Sequence, residues 1–76
     1  MKITENIEIS SVTELNKFCT EASKCHTPVE VKSGRYIVDG KSIMGVLSLD
    51  LTKEVTVEFD DTESNFAKAI IGFVKD

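Results

Sequence analysis

Hydrophobic residues recur along this chain with two different periods, and the switches between those periods predict its elements. Ile3, Ile7 and Ile9 alternate with Lys2, Thr4, Asn6, Glu8 and Ser10, which predicts a half-buried strand from Ile3 to Ser10 with Glu5 interrupting its apolar face once. Ser11-Val12-Thr13-Glu14 has the form of a capping box, in which the Ser11 hydroxyl accepts from a first-turn N–H and Glu14 reaches back to the cap N–H. A helix follows, because Leu15, Phe18, Cys19 and Ala22 fall at i, i+3, i+4 and i+7, while Asn16, Lys17, Thr20, Glu21 and Lys24 face away. It stops by His26-Thr27, since Pro28 disfavours the helical region in the residue before it.

Val29-Glu30-Val31-Lys32 alternates again, Ser33-Gly34 is a turn signal and Arg35-Tyr36-Ile37-Val38 is rich in strand formers, so residues 29 to 38 read as a hairpin closed by Asp39-Gly40. Ser42 is placed to cap a short helix reaching about Leu49, and Val55, Val57 and Phe59 alternate as the last strand. Asp61 or Thr62 caps a final helix with Phe66, Ala69, Ile70, Phe73 and Val74 on one face. The order is βαββαβα. For one domain spanning residues 1–76 this predicts the α+β class, an open-faced β-sandwich with a four-stranded antiparallel sheet and three helices on one face.

Composition narrows the function. With 13 acidic residues against 9 basic ones and no dense Lys/Arg cluster, the chain is a poor match for a phosphate backbone, so nucleic acid is not expected as a partner. Cys19 and Cys25, if both helical, are separated by a rise of about 9 Å, beyond disulfide reach. Without a disulfide pair, a signal-like apolar run after Met1 or an apolar span of membrane length, the expected location is cytoplasmic, with no membrane partner. One His and two Cys at a six-residue offset have no metal-ligand spacing, so neither metal nor cofactor is expected.

The segment Gly40-Lys41-Ser42-Ile43-Met44-Gly45-Val46-Leu47-Ser48-Leu49 resembles the serine-centred signature of HPr, the small phosphocarrier of the sugar phosphotransferase system, as it occurs in Gram-positive bacteria. Its place between the hairpin and the last strand fits, and the βαββαβα order covers essentially the whole chain in the HPr arrangement. In that family a histidine near the head of the first helix, followed by arginine and proline, takes phosphate from enzyme I and passes it to sugar-specific carriers. When Phe18, Glu21 and Ala22 are set against that helix, Ser11 falls near the histidine position, Thr13 near the arginine and Glu14 near the proline. Ser11 and Thr13 thus stand at degenerate active-site positions. An alcohol without an adjacent base is a weak nucleophile, and Glu14 repels an incoming phosphoryl group.

The resemblance implies a role for what remains. Family serines at the Ser42 position are modified by HPr kinase/phosphorylase, and members without the histidine, such as Crh, act only through that serine. The expectation is a non-catalytic regulator with Ser42 as the phosphorylation site and Ile43, Met44 and Leu47 as a docking surface, Val46 and Leu49 turning inward. Read without the family, Ser42 is an ordinary N-cap and the apolar residues of a short helix are more often core. Implied partners are HPr kinase/phosphorylase, a transcriptional regulator and, for any remaining carrier activity, enzyme I. Two alternatives stand beside it: a working phosphocarrier with an unconventional phosphoacceptor, and a paralogue that keeps the fold and binds an unrelated partner.

Other motifs carry less. Gly40-Lys41-Ser42 resembles the end of a P-loop, but the glycine required five residues earlier is Arg35. Cys25-His26 are adjacent in sequence, which rarely sets a thiol and an imidazole in a productive hydrogen bond, and His26 reads as a surface or loop residue at the far end of the helix. No residue is assigned a catalytic role, and an enzyme is not expected.

Overall fold

Strict alternation in Val55-Thr56-Val57-Glu58-Phe59-Asp60 produces the strand around which the rest assembles. In the computed structural model, which describes residues 1–75, the elements are β1 (Lys2–Ile7), α1 (Val12–Ser23), β2 (Glu30–Ser33), β3 (Tyr36–Asp39), α2 (Ile43–Leu47), β4 (Val55–Asp60) and α3 (Ser64–Ala69), followed by a 3-10 turn, Ile71–Phe73. β4 pairs antiparallel with β1 on one side and β2 on the other, and β3 flanks β2, giving the order β1-β4-β2-β3. Val55, Val57 and Phe59 point from β4 into the core beneath the helices, as does Val31 from β2. From above, α1 contributes the expected stripe of Leu15, Phe18, Cys19 and Ala22, all buried. This is the open-faced sandwich that the alternating periods predict.

The hairpin turns in two residues. Gly34, at φ +59°, takes the first loop position and Arg35 the second, with Ser33 paired to Tyr36. A positive φ at the first of two loop positions is the requirement that makes glycine the residue there.

Several boundaries differ from the expected ones. β1 ends at Ile7 rather than Ser10, because past that point the Glu8 N–H donates to the Phe73 carbonyl at 2.8 Å. Ile9 is still buried. In the capping box the Ser11 hydroxyl accepts from the Glu14 N–H at 3.2 Å as predicted, but the Glu14 carboxylate reaches the Ser10 N–H (2.8 Å) and hydroxyl (2.6 Å) instead of the Ser11 N–H. Cys25 lies past the end of α1, and both cysteines are free and buried. α2 ends at Leu47, short of Leu49, although Leu49 remains buried.

The last helix departs most. Neither Asp61 nor Thr62 caps α3: the Asp60 carboxylate accepts from the Thr62 N–H and hydroxyl, both at 2.9 Å, and the helix starts after Glu63 without a side-chain cap. It ends at Ala69, which is exposed, where the apolar pattern predicts continuation through Val74. The reason is the β1 edge: the Lys75 N–H donates to the Asn6 carbonyl at 2.8 Å and Val74 bridges Ile7, contacts that an uninterrupted helix would forfeit.

Glu63 has a different task. Its Oε2 accepts from the His26 N–H (2.9 Å), the Thr27 N–H (2.8 Å) and the Thr27 hydroxyl, tying the loop after α1 to the start of α3. These hydrogen bonds, foremost that of the Thr27 hydroxyl, hold its carboxyl below the usual range. Glu14, Asp50, Glu58 and Asp60 are lowered likewise, chiefly by hydrogen bonds from Ser10, Thr52, Lys32 and Thr62 respectively. A carboxyl with a lower pKa folded than unfolded stabilises the fold fully above its unfolded value, and loses that contribution as pH falls through the folded one. Stability is therefore expected to be flat between about pH 5 and pH 7 and to fall progressively below about pH 4.5, the unfolded carboxylate range. Urea midpoints across that range check it, and Glu63→Gln should flatten part of the acid decline.

Candidate functional site

Two helix heads and the groove beside them make up the site. At the head of α1, Ser11 and Thr13 are both exposed, and the Ser11 oxygen is engaged as the N-cap. The Glu14 carboxylate, folded back on Ser10, occupies donors at the place where an anion would otherwise be received. No imidazole stands near: His26 is the sole histidine and follows the opposite end of α1, a helix of 12 residues spanning about 18 Å. Neither cysteine supplies a nucleophile, because burial pushes both thiols up.

The head of α2 is built differently. The chain leaves β3 through a tight bend in which the Gly40 N–H donates to the Val29 carbonyl at 2.7 Å and the Ser42 N–H to the Asp39 carbonyl at 3.0 Å. Asp39 Oδ1 also accepts from the Lys41 N–H at 2.9 Å, and Lys41 Nζ donates to the Cys25 carbonyl at 3.1 Å, pinning the bend to the end of α1. Ser42 then caps α2, its Oγ accepting from the Gly45 N–H at 3.2 Å. A cap oxygen used only as an acceptor keeps its own hydroxyl hydrogen for exchange.

Along α2 Met44, Val46 and Leu47 take the expected directions, whereas Ile43, expected to face outward with Met44 and Leu47, does so only in part. Val46 is fully buried and Leu49 nearly so, whereas Met44 is 75% exposed and Leu47 48% exposed. Ile43 is intermediate, packed in part against the core. The sequence pattern missed Val12, which is 65% exposed at the first position of α1. It stands three residues before Leu15, at the stripe's own spacing, so periodicity alone would bury it; its signal was its place as the first helical residue, at the end of the stripe. A groove of about 570 Å³ lined by Ser11, Val12, Leu15, Leu47 and Leu51 among others joins the α1 head to the end of α2. Among the described residues no His/Cys/Asp/Glu group is arranged to hold a metal ion.

A family model described as the PTS HPr component phosphorylation site matches residues 13–76 of this chain. The chain belongs to the HPr family. Solved HPr structures share its fold over almost its full length. The phosphocarrier protein HPr from Bacillus anthracis str. Ames superposes with a TM-score of 0.72 at 19% identity, covering 97% of this chain and 98% of that one. HPr-C-His from Thermoanaerobacter tengcongensis gives 0.71 at 25% identity, covering 97% and 90%. Among curated protein sequences no significant match is found. HPr is the phosphocarrier family of the phosphotransferase system, and its members in general interact with other proteins of that system. Among the described residues no helix is long and apolar enough to cross a membrane.

Proposed function

We propose that this HPr-family chain is a non-catalytic regulator, switched by phosphorylation of Ser42 and docking through Ile43, Met44 and Leu47. The observation that carries this reading is the contrast between the two helix heads. The α1 head offers alcohols and a carboxylate that already fills its donors, whereas the α2 head offers a hydroxyl beside an exposed methionine. Ser11 and Thr13 have no hydrogen-bonded base to activate them, and the Glu14 carboxylate beside them disfavours an incoming phosphoryl group, so neither replaces the active-site histidine of the family. HPr kinase/phosphorylase and a transcriptional regulator are the partners that fit, with the protein working in the cytoplasm.

In the modification step Ser42 Oγ attacks the γ-phosphorus of ATP, ADP leaves, and the hydroxyl proton passes to a base on the kinase. The product carries nearly two added negative charges and three acceptor oxygens at the head of α2. The dipole of α2 favours them by roughly 0.3–1 kcal/mol, so the fold is kept and the change is confined to the surface. Charge then sits next to Met44 and Leu47, and a partner is selected by whether it sets a basic or an apolar group there. Met suits such a surface because its unbranched side chain adapts to more than one partner.

Incubation with HPr kinase and ATP should add one phosphoryl group, located at Ser42 by peptide mass spectrometry and absent in Ser42→Ala. Met44→Asp should slow that modification by about tenfold or more while leaving stability within about 0.5 kcal/mol, as befits an exposed contact residue. No modification, or modification at another residue, rejects the switch. An acid-labile phosphoryl adduct formed from enzyme I and phosphoenolpyruvate would instead favour a retained carrier role.

A further inference from the structure

The two edges of the sheet are treated differently. Along β1 the C-terminal segment lies as a partial cover, through the Glu8-to-Phe73 and Lys75-to-Asn6 backbone hydrogen bonds and the Ile7–Val74 bridge. Beside β3, among the described residues, no such cover exists. Exposed edges are commonly blunted by lysine, proline or a bulge. β3 carries none of these, and its Tyr36 is 72% and its Ile37 58% exposed.

The phase of the ladder shows which groups the edge presents. Gly40 donates to Val29 across the hairpin, and the pairs before it are Glu30↔Asp39, Val31↔Val38, Lys32↔Ile37 and Ser33↔Tyr36. Inward bonding alternates along an antiparallel strand, so Tyr36, Val38 and Gly40 bond toward β2 while the N–H and C=O of Ile37 point away from the sheet. Arg35 and Asp39 flank Ile37 two residues to either side.

That sequence is complementary to itself. We propose that β3 is a self-association edge, on which a second copy of this chain pairs antiparallel about a twofold axis at Ile37, joining two sheets into one of eight strands. In this register Ile37 faces Ile37 of the other copy, Tyr36 faces Val38, and Arg35 faces Asp39 twice over. Sliding the register by two residues sets Ile37 against Asp39 in one direction and against Arg35 in the other, and in both leaves Arg35 without a carboxylate, so charge selects the first arrangement. Asp39 is prepared for the contact: its Oδ1 is fixed by the Lys41 N–H, leaving Oδ2 to accept from a guanidinium. It also stands opposite Glu30 within its own hairpin, a like-charge pairing that the arriving arginine offsets. The interface is isologous and therefore closes at two copies.

Sedimentation equilibrium of the intact chain from about 10 µM to about 1 mM should show the mass rising from 8.4 kDa toward twice that value. Ile37→Lys should weaken association by about tenfold or more with an unchanged circular dichroism spectrum. Arg35→Asp and Asp39→Arg each set like charges opposite one another in a homodimer. Either variant alone should associate more weakly than the parent chain, and an equimolar mixture, in which both contacts become complementary, should recover association. A chain that stays monomeric across the range overturns the proposal. So does a dimer indifferent to Ile37→Lys, or a mixture no tighter than its components.

Discussion

Phe18→Ala is expected to cost about 3–5 kcal/mol, the range for emptying a fully buried aromatic site. Phe18 has no solvent exposure and sits where three elements meet. Its ring lies edge-on to Phe66 of α3 at 5.8 Å and to Phe73 of the terminal 3-10 turn at 6.3 Å, and Phe66 in turn packs on Phe59 of β4 at 5.0 Å. Truncation therefore removes the side chain through which α1 grips the C-terminal segment, and that segment also covers the β1 edge. A domain of this length has a total stability of about 4–11 kcal/mol, so the variant should be partly unfolded at 25 °C or close to it. Its thermal midpoint should fall by on the order of 20 °C. Thermal melts and urea titrations followed by circular dichroism measure this, and a loss below about 1 kcal/mol would show that the core is not organised around Phe18. Phe73→Ala, at a half-buried position, should cost markedly less.

How far the residues declare this fold depends on the range of the interactions involved. The stripe of α1 and the alternation of β4 are local patterns set by the geometry of a helix and of a pleated strand, and both are legible from spacing alone. The end of α3 is not. Phe66, Ile70 and Phe73 continue a helical period through Gly72, and only the presence of β1, more than sixty residues earlier, explains why the chain turns extended at Val74. Glu63 is a similar case, because its carboxylate caps a loop 36 and 37 residues away, which no local motif encodes. The Glu14 contact differs from the capping-box pattern by a single residue, since a long acidic side chain can reach either of two neighbouring N–H groups and the serine hydroxyl at position 10 decides between them.

The candidate site divides along the same line. Ser42 as the cap of α2 follows from local capping chemistry, and its interest beyond capping comes from the family resemblance. The outward direction of Met44 and Leu47 follows from the inward direction of Val46, since side chains one or two apart on a helix do not share a face. Val12 and the groove that joins it to Leu47 needed the tertiary structure, because nothing in the sequence states that the head of α1 lies beside the end of α2. The uncovered edge at β3 also emerged only from strand order, since each strand of a hairpin looks alike until its outer neighbour is known.

Gly40→Ala is expected to lower stability by about 1–3 kcal/mol, the cost of forcing a methyl group into a packed site. A Cβ there would stand 2.7 Å from Val29 Cγ1 and 3.2 Å from the Val29 carbonyl oxygen. The flexible end of a side chain could swing aside, but Val29 is 1% exposed with little room, and its carbonyl is held by the Gly40 N–H itself. Relief thus comes from parting the β2–β3 end, which carries the bend that positions Ser42. Phosphorylation of Ser42 should consequently slow along with the loss of stability, although Gly40 does not touch the hydroxyl. Val29→Ala in the same chain removes the clashing methyl and should make the double variant less destabilised than the sum of the singles, by about 1 kcal/mol of coupling. Gly72→Ala is the control, because no atom lies within 4 Å of its added methyl. Denaturant midpoints of the four chains, with the kinase rate on each, separate a steric origin from a conformational one: strict additivity of Val29→Ala and Gly40→Ala would mean that the close approach of these two residues is not what requires glycine at the turn into α2.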